Sequence, residues 1–528
     1  MTRDRMVILE RRNEIARPPM TTSARWRRLL TILFPCAAFI ALVFTVFRHN
    51  ALHGDQYDDA YITYRYAAHL AQGRGLVFND GEHVNSASSL LYSLILAGCY
   101  SCGLRDLELV ANGIGIIAGV TLLAVLGYDT ARRTGSNLTT LGLLLPLSIG
   151  GSLAGWATSG METTLFSCIV VCTIVCLCSN RLGMGTLLLC LAVLCRPEGA
   201  ILLVCVAAAA ALAGGVGSLA FVVPVAVGSA VQFGYFLFNW AYYGFWFPHS
   251  VAFKTASVIY HLGLPTSIHN TVRFFVGGYV LVSLGAALLG ALTLLQAHRA
   301  WRNLLYAPTL LTLYCGISLL SIFMGPQANL CRYGVHLLGA CVVATAILVQ
   351  ERSHWFSGTG ARALFALLCI GSLGQAALEA RRASEFFNWG AQHQIARKSL
   401  GRWLEAHASP EEWILSSDIG AISYEALNHR FIDATGLTSA APVQAAQRND
   451  WLFFVKDLVR KHPSLVADTR LPSGQLQALF FIEYPGNVFR AFQHTDAGVD
   501  LSSKLRPPLV ELPTPGGYDF VIAPLEWR

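Results

Sequence analysis

Charged side chains are scarce in this chain, and their scarcity decides its class. Only 13% of the 528 residues are Asp, Glu, Lys or Arg, whereas 54% are hydrophobic and the mean hydropathy is +0.49. Soluble domains carry about a quarter of charged residues. The missing charge must therefore be replaced by surface that faces lipid, and the composition predicts a polytopic membrane protein.

Metal-site and disulfide patterns are also missing. Twelve of the 14 cysteines lie in or beside apolar runs, where cysteine acts as a small hydrophobe. The other two, Cys99 and Cys102, form a lone CxxC without a second pair, which disfavours a zinc or redox site without excluding it. The histidines show no spacing typical of metal ligands. We therefore expect no metal and no cofactor, and no disulfide after Cys369.

Positive charge is concentrated before the first apolar run. Residues 1–28 hold eight arginines against three acids, which is the positive-inside signature of a cytoplasmic segment. Nucleic-acid binding is the alternative for such a cluster, but membrane topology explains it more simply. Residues 29–47 are an apolar run of 19 residues, long enough for a helix to cross the hydrocarbon core. We interpret this run as an uncleaved signal anchor.

Later apolar runs predict about eleven membrane spans within residues 29–378. After the first, they lie near 107–128, 139–157, 163–179, 184–196, 199–214, 219–241, 276–296, 304–324, 331–349 and 361–378. Residues 89–103 are interpreted as a juxtamembrane helix, because counting them as a span would place Arg132 and Arg133 outside. The charged break at 196–199 predicts two short helices that face the protein interior.

Residues 380–528 differ from the rest in their ordinary charge density. A helical stretch at 385–407 is followed by short apolar runs at 413–415, 452–455, 476–482 and 520–522. This mixture predicts a compact α/β domain of about 150 residues, large enough to have its own core. An odd number of spans places the domain on the extracytoplasmic side.

A polar outer loop at 48–106 carries the strongest chemical signal. Asp58 and Asp59 are adjacent acids close to the end of the first apolar run. A carboxylate beside another at a lipid–water boundary has a raised pKa, which suits a general base acting on a hydroxyl. The alternative is structural, with Asp59 capping the helix that begins there. Both interpretations are compatible if the Asp58 side chain projects from the helix and Asp59 caps it.

The residues around this acid pair resemble a known family. DDAYITYRYAAHLAQGRGLVFNDGEHV, at 58–84, is similar to the first outer loop of the GT-C membrane glycosyltransferases, especially the terminal β-arabinofuranosyltransferases of mycobacterial cell walls and their bacterial relatives. Further motifs of the family follow in the same order, namely SGMET at 159–163, RPEG at 196–199, YYG to Lys254 at 242–254, DIGAI at 418–422 and IDATGLT at 432–438. The resemblance implies a GT-C transmembrane bundle with a C-terminal extracytoplasmic domain.

The resemblance also implies a reaction. The chain would transfer a sugar from a polyprenyl-phosphate donor to a hydroxyl of an envelope glycan, lipid or protein, in the inner membrane of a bacterium. Asp58 would be the base, with Asp59 beside it. A lipid-phosphate leaving group needs fixed cations, and the candidates are Arg65, Arg196, Lys254 and Arg332. Candidates for the substrate pocket are Tyr61, His69, Glu162, Glu198 and His249.

Each of these candidates also has a structural interpretation. The four cations could snorkel at helix ends, and Glu198 could simply pair with Arg196. Glu162 fits the start of a helix, and Asp418 and Asp433 fit turns of the α/β domain at 380–528, which is called the outer domain below. His69, the segment Asn85–Leu90 and His249 depart from the family's pattern, which leaves the donor sugar and the acceptor open.

Two other functions remain as alternatives. A transporter or flippase of lipid-linked saccharides would use the buried arginines as substrate charges, but it predicts broken helices in symmetry-related halves, and the sequence shows no such pair. A non-catalytic envelope-assembly protein of the same fold is harder to separate, because fold does not fix function.

Overall fold

The protein is described by a computed structural model over residues 22–53, 56–213, 219–256, 268–269, 272, 279–300, 305–324, 332–492, 500–514 and 517–527. Most of these residues are helical, and a small sheet lies near the C-terminus. The arginine-rich segment 1–21 lies outside the described residues.

Sixteen helices form the bundle and its outer loop within the described ranges. They are α1 (Thr22–Val46), α2 (Arg48–His53), α3 (Asp58–Ala71), α4 (Leu90–Ser101), α5 (Leu107–Thr134), α6 (Asn137–Ile149), α7 (Gly151–Ala157), α8 (Thr163–Cys178), α9 (Leu182–Cys195), α10 (Gly199–Leu212), α11 (Leu219–Tyr243), α12 (His249–Ala256), α13 (Val280–Ala300), α14 (Tyr306–Met324), α15 (Val335–Glu351) and α16 (Thr359–His407).

The helix lengths support a multi-pass membrane protein. Among the described residues, six helices are long and apolar enough to cross a membrane, and the number is seven if α6 and α7, which are bent by 54° at their break, form one span. The total becomes the expected eleven only if the four shorter apolar helices α8, α9, α10 and α14 also cross. Helix α4 has 12 residues, too few to cross, as expected for a juxtamembrane segment.

The ends of α5 show how the sequence sets a span. The side chain of Asp106 accepts a hydrogen bond from the backbone N–H of Leu109 and so caps the first turn. Gly135 ends the helix in the left-handed conformation, at φ 66°. The 28 residues between them extend over roughly 42 Å. The outer loop therefore lies at one end of the bundle and the Arg132–Arg133 pair at the other.

Basic residues from three separate parts of the sequence lie near one another in the structure. Arg132 donates to the Ser179 hydroxyl at 2.9 Å, two residues before Arg181. Arg133 donates to Gln350 at 3.4 Å, close to Arg352. Three basic clusters that are far apart in sequence thus meet at the end of the bundle opposite the acid pair.

Helix α16 crosses the expected boundary between the two domains. It runs without interruption for 49 residues, from the apolar bundle into the outer domain. The boundary placed at 378–380 therefore falls inside one helix. No glycine or proline interrupts residues 375–389, so nothing in the local sequence stops the helix there.

The outer domain is built on a five-stranded mixed sheet. Its elements in chain order are β1 (Trp413–Ser416), α17 (Gly420–Glu425), β2 (Arg430–Asp433), α18 (Ala440–Arg448), α19 (Trp451–Lys461), β3 (Leu465–Arg470), α20 (Gln477–Glu483), β4 (Val510–Leu512) and β5 (Asp519–Pro524). The strand order is β2-β1-β3-β5-β4, with β1 parallel to β2 and β3, and β5 antiparallel to β3 and β4. The expected α/β domain is confirmed.

Both faces of this sheet are covered. Leu415 and Val466 point into a core that α18, α19 and α20 close. Their neighbours in sequence, Ile414 and Ala467, point to the other face, which packs on α3 and α16. The outer domain is therefore seated directly on the helix that begins with the acid pair.

Candidate active site

The acid pair opens α3, but neither carboxylate caps this helix. Tyr57 is the N-cap residue, and its side chain makes no capping hydrogen bond. The expectation that Asp59 caps the helix is therefore wrong. Both acids stand in the first turn, where the helix dipole favours negative charge, and their carboxylates contact other parts of the protein.

Asp58 binds the outer domain. Its two carboxylate oxygens accept the backbone N–H groups of Gly420, at 3.0 Å, and Ala421, at 2.9 Å. The Gln394 amide donates to it at 3.3 Å, and Arg397 Nε lies 3.7 Å away. The DIGA motif and the acid pair, recognised separately in the sequence, are thus parts of one site.

The surroundings of Asp58 raise its pKa to about 6. Burial is the largest cause, because it disfavours the charged carboxylate, and the nearby Arg397 guanidinium opposes it. The negative charge of Asp418 raises the pKa further. A carboxylate with this pKa is ionised at neutral pH and still basic enough to accept a proton.

Arg397 is held beside Asp58 by a second acid. Its Nε donates to Asp418 Oδ2 at 2.8 Å, and the Thr469 hydroxyl donates to the same oxygen at 2.9 Å. The guanidinium also lies over the Phe520 ring, 5.2 Å from its centroid. Asp418 is therefore more than a turn residue, because it orients the arginine that faces Asp58.

These residues line a cavity of about 380 Å³ between the bundle and the outer domain. Asp58, Asp59, Gln394, Arg397 and Asp418 form its polar part. Its apolar part includes Ile62, Phe253, Phe386, Phe387, Trp389, Ile419, Leu437 and Phe481. A cavity lined by acidic, basic and aromatic residues suits a ligand with a charged headgroup and an apolar chain.

Asp59 leads from the cavity into a buried chain of ion pairs. Its Oδ2 lies 3.0 Å from Arg332 Nη1, and Arg332 Nη2 lies 3.5 Å from Glu162 Oε1. The same Glu162 oxygen lies 2.7 Å from Arg196 Nη1, and Arg196 also forms a two-point contact with Glu198. The chain contains three carboxylates and two guanidinium groups.

The two buried arginines expected to bind phosphate are therefore already paired. Neither Arg196 nor Arg332 lines the cavity. The side chain of Lys254, the third expected cation, lies outside the described part of the structure. Glu162 and Glu198, expected in the substrate pocket, instead hold Arg196 and Arg332 in place.

The structure gives Arg65 a structural role in place of the expected phosphate contact. Its Nε donates to Phe78 O at 2.7 Å and its Nη2 to His429 O at 2.6 Å. Its Nη1 donates to the carbonyls of Ser423 and Ala426. A guanidinium with these four acceptors ties the outer loop to the outer domain and is not exposed to the cavity.

The remaining pocket candidates lie in buried packing. Tyr61 packs against the rings of Tyr64 and Tyr424. His69 contacts the carbonyls of Val77 and Leu427, and burial lowers its pKa to about 4. None of these residues lines the cavity.

His249 is held by the other segment that departs from the family's pattern. The backbone N–H of Asn85 donates to its Nδ1 at 3.2 Å, and its own backbone N–H donates to Asn85 O at 2.7 Å. It also lies outside the cavity lining. These two departures from the family's pattern, at Asn85 and His249, are thus in direct contact with each other.

Sequence reasoning missed Gln394 and Arg397. A signal was present, because they lie three residues apart on one helix face and reach the same carboxylate. Their partner, however, lies more than 300 residues earlier, and a local pattern does not show such a contact. Among the described residues, no group of three or more His, Cys, Asp or Glu side chains could hold a metal ion.

Two solved structures resemble this chain over most of its length. The crystal structures of ArnT from Cupriavidus metallidurans, bound to undecaprenyl phosphate and in the apo state, each give a TM-score of 0.51, with 12% and 11% identity. The matches cover 92% of this chain and 97% and 98% of those chains. The expected fold, a GT-C-type transmembrane bundle with a C-terminal α/β domain, is thereby confirmed.

The sequence itself matches a family model over only part of the chain. The family model described as "Domain of unknown function (DUF8728)" matches residues 385–508, which begin within α16 and cover most of the outer domain. No curated protein matches the chain.

Proposed function

We propose that this protein is a membrane glycosyltransferase that moves a sugar from a polyprenyl-phosphate donor to a hydroxyl of an envelope glycan, lipid or protein. The observation that carries the proposal is the cavity between the bundle and the outer domain. It combines a carboxylate with a raised pKa, an arginine 3.7 Å away and an aromatic wall.

The likeness in fold supports the class of donor. One of the two similar structures of ArnT was solved with undecaprenyl phosphate bound. In the present chain, the aromatic wall includes Phe386, Phe387 and Trp389 of α16, a helix that continues into the apolar bundle. A polyprenyl chain along this wall would place its phosphate near the polar part of the cavity.

In the proposed step, the acceptor hydroxyl attacks the anomeric carbon of the donor. The new carbon–oxygen bond forms as the bond between that carbon and the phosphate oxygen breaks, and the phosphate oxygen keeps the electron pair. Asp58 takes the hydroxyl proton. General-base help of this kind contributes roughly 10²–10⁴ in rate.

Asp58 suits the base better than Asp59. Asp59 is held by the Arg332 guanidinium at 3.0 Å, so one of its carboxylate oxygens is already used in an ion pair. Asp58 has a pKa of about 6 and an arginine only at 3.7 Å. We propose that Asp59 instead fixes Arg332 at the edge of the site.

The proposed orientation follows from charge. The cluster of Arg132, Arg133 and their basic neighbours would face the cytoplasm, and the acid pair and outer domain would face the other side of a bacterial inner membrane. Reporter fusions at Arg133 and Trp451 should then report opposite sides. A cytoplasmic signal from Trp451 would contradict the orientation.

The test of the function is transfer of radiolabel from a panel of polyprenyl-phosphate sugars by membranes that contain the protein. We expect one donor to label an envelope acceptor, and Asp58→Asn to remove most of that labelling. If every donor fails while the protein is folded and inserted, the chain is not a transferase of this kind, and the scaffold or transporter alternative takes its place.

A further inference from the structure

We infer that Arg397 of α16 binds the phosphate of the lipid-linked donor and stabilises it as the leaving group. This inference rests on the proposed function and adds a residue that the sequence did not single out. The four cations expected from the sequence were Arg65, Arg196, Lys254 and Arg332.

The protein orients the Arg397 side chain but leaves part of its hydrogen-bonding capacity open. Its Nε bonds to Asp418, and its ring contact with Phe520 fixes the plane of the guanidinium. Its two terminal amino groups make no hydrogen bond to any described residue, although the side chain lines the cavity and is 18% exposed. A guanidinium held at Nε with its two terminal groups open can bind two phosphate oxygens at once.

The other described candidates lack such open groups at the cavity. Arg65 donates to four backbone carbonyls. Arg196 uses all three nitrogens on Glu162, Thr163 and Glu198. Arg332 is paired with Asp59 and Glu162, and its open Nε is buried. Among the described arginines that the sequence proposed, none lines the cavity.

The position of Arg397 also matches an amphipathic ligand. Trp389 lies eight residues earlier on the same helix, about 12 Å along its axis, and it belongs to the aromatic part of the cavity. A ligand that lies along α16 would therefore place its apolar chain against the aromatic residues and its phosphate against the guanidinium.

The charges around Arg397 determine how its contact with the phosphate changes during the reaction. Asp58 and Asp418 flank it, so a bound phosphate is attracted by one cation and repelled by two carboxylates. When the bond to the sugar breaks, the phosphate gains negative charge, and its contact with Arg397 strengthens. Such a contact lowers the barrier because it is stronger in the transition state than in the bound donor.

The experiment measures binding of undecaprenyl phosphate and of uncharged undecaprenol to the purified full-length protein in detergent. We expect Arg397→Gln to weaken binding of undecaprenyl phosphate by roughly tenfold to a hundredfold, since bonds to a charged group contribute about 1.5–3 kcal/mol. Binding of undecaprenol should not change. Arg402→Gln is the matched control, because Arg402 lies on the same helix, is exposed and pairs with Glu425.

Asp418→Asn separates a phosphate contact from a structural one. It breaks the ion pair that holds Arg397 but leaves the cation in the cavity and removes a repelling charge. We expect it to lose less affinity for undecaprenyl phosphate than Arg397→Gln does, because the cation remains and the removed repulsion offsets the lost orientation of the guanidinium. Equal losses in Arg397→Gln and Asp418→Asn would show that the ion pair matters only for structure and would overturn the inference.

Arg397→Lys gives a second measure if Arg397→Gln does not fold. It keeps the charge and the pairing with Asp418 but loses the two-point contact, so we expect an intermediate loss of affinity. Wild-type affinity in either variant would overturn the role of Arg397. A wild-type protein that does not distinguish undecaprenyl phosphate from undecaprenol would instead contradict the proposed function itself.

Discussion

The carboxylate of Asp58 lies directly against the backbone of Gly420. Its Oδ2 accepts the Gly420 N–H at 3.0 Å, across 362 residues of sequence. A Cβ atom on Gly420 would lie 2.1 Å from the backbone oxygen of Asp58 and 2.4 Å from its carboxylate carbon. The outer domain therefore positions the acid of the outer loop through a glycine that has no room for a side chain.

This contact predicts the effect of Gly420→Ala. The added methyl group must push Asp58 away from the cavity without changing any charge. Since misplacement of a catalytic group by about 1 Å can cost roughly 100-fold, we expect turnover to fall by about that factor in the transfer assay. Gly374→Ala is the control, because a Cβ on Gly374 of α16 meets nothing within 4 Å. Equal activity of both variants would mean that turnover does not depend on the exact position of the Asp58 carboxylate.

The raised pKa of Asp58 predicts a pH dependence. The base must be ionised to accept a proton, so kcat/KM should fall as the pH is lowered through about 6 and should level off above it. Profiles measured from pH 5 to 8 test this. A rate that does not change across this range would exclude a base with such a pKa.

Two variants should move that inflection in opposite directions. The positive charge of Arg397 lowers the pKa of Asp58, so Arg397→Gln should shift the inflection to higher pH. The negative charge of Asp418 raises this pKa, so Asp418→Asn should shift it to lower pH. Shifts in the same direction would assign the inflection to another group.

The four hydrogen bonds of Arg65 predict that this side chain attaches the outer domain to the outer loop. Arg65→Lys keeps the charge but cannot reach four carbonyls, and each lost bond to the charged group costs roughly 1.5–3 kcal/mol. We expect faster proteolysis between the bundle and the outer domain, together with lower activity. Arg74→Lys is the control, since Arg74 also reaches Leu427 and Asn428 but is partly exposed. Equal protease resistance of both variants would contradict the structural role.

The contact between Asp59 and Arg332 predicts that substitutions of these two residues have coupled effects on stability. Arg332→Met leaves Asp59 without this cation, while Glu162 keeps its contact with Arg196. Because Asp59 is partly exposed, we expect a loss below the about 3–5 kcal/mol that breaking a fully buried pair costs. Adding Asp59→Asn to that variant should recover part of the loss, because one unpaired carboxylate is removed. Thermal unfolding of the single and double variants in detergent measures the coupling. Strictly additive effects would show that the two side chains do not interact.

Much of the bundle could be predicted because lipid-facing helices need long apolar runs. The break at Arg196–Gly199 separates α9 from α10 as expected. The short apolar runs of the outer domain were harder. Those at 413–415 and 520–522 are strands, whereas those at 452–455 and 476–482 lie in helices, since periodicity cannot assign such short runs.

The candidate site could be predicted only in part. Asp58 and Asp59 stand out because two acids follow a membrane span. Arg397 does not stand out, because it lies on a helix with ordinary charge density and meets Asp58 only after the outer domain has folded onto α3. Arg65 was misjudged for the converse reason, since its four carbonyl partners leave no trace in side-chain patterns.

Asp58→Asn tests the central claim most directly. The measurement compares two quantities for the purified protein and this variant, binding of the active polyprenyl-phosphate sugar and its turnover at saturating donor. We expect turnover to fall by roughly 10²–10⁴, because asparagine cannot accept the proton. Donor binding should be equal or tighter, because a charge that repels the phosphate is gone. Wild-type turnover in Asp58→Asn, or a loss that lies entirely in binding, would contradict the assignment of Asp58 as the base.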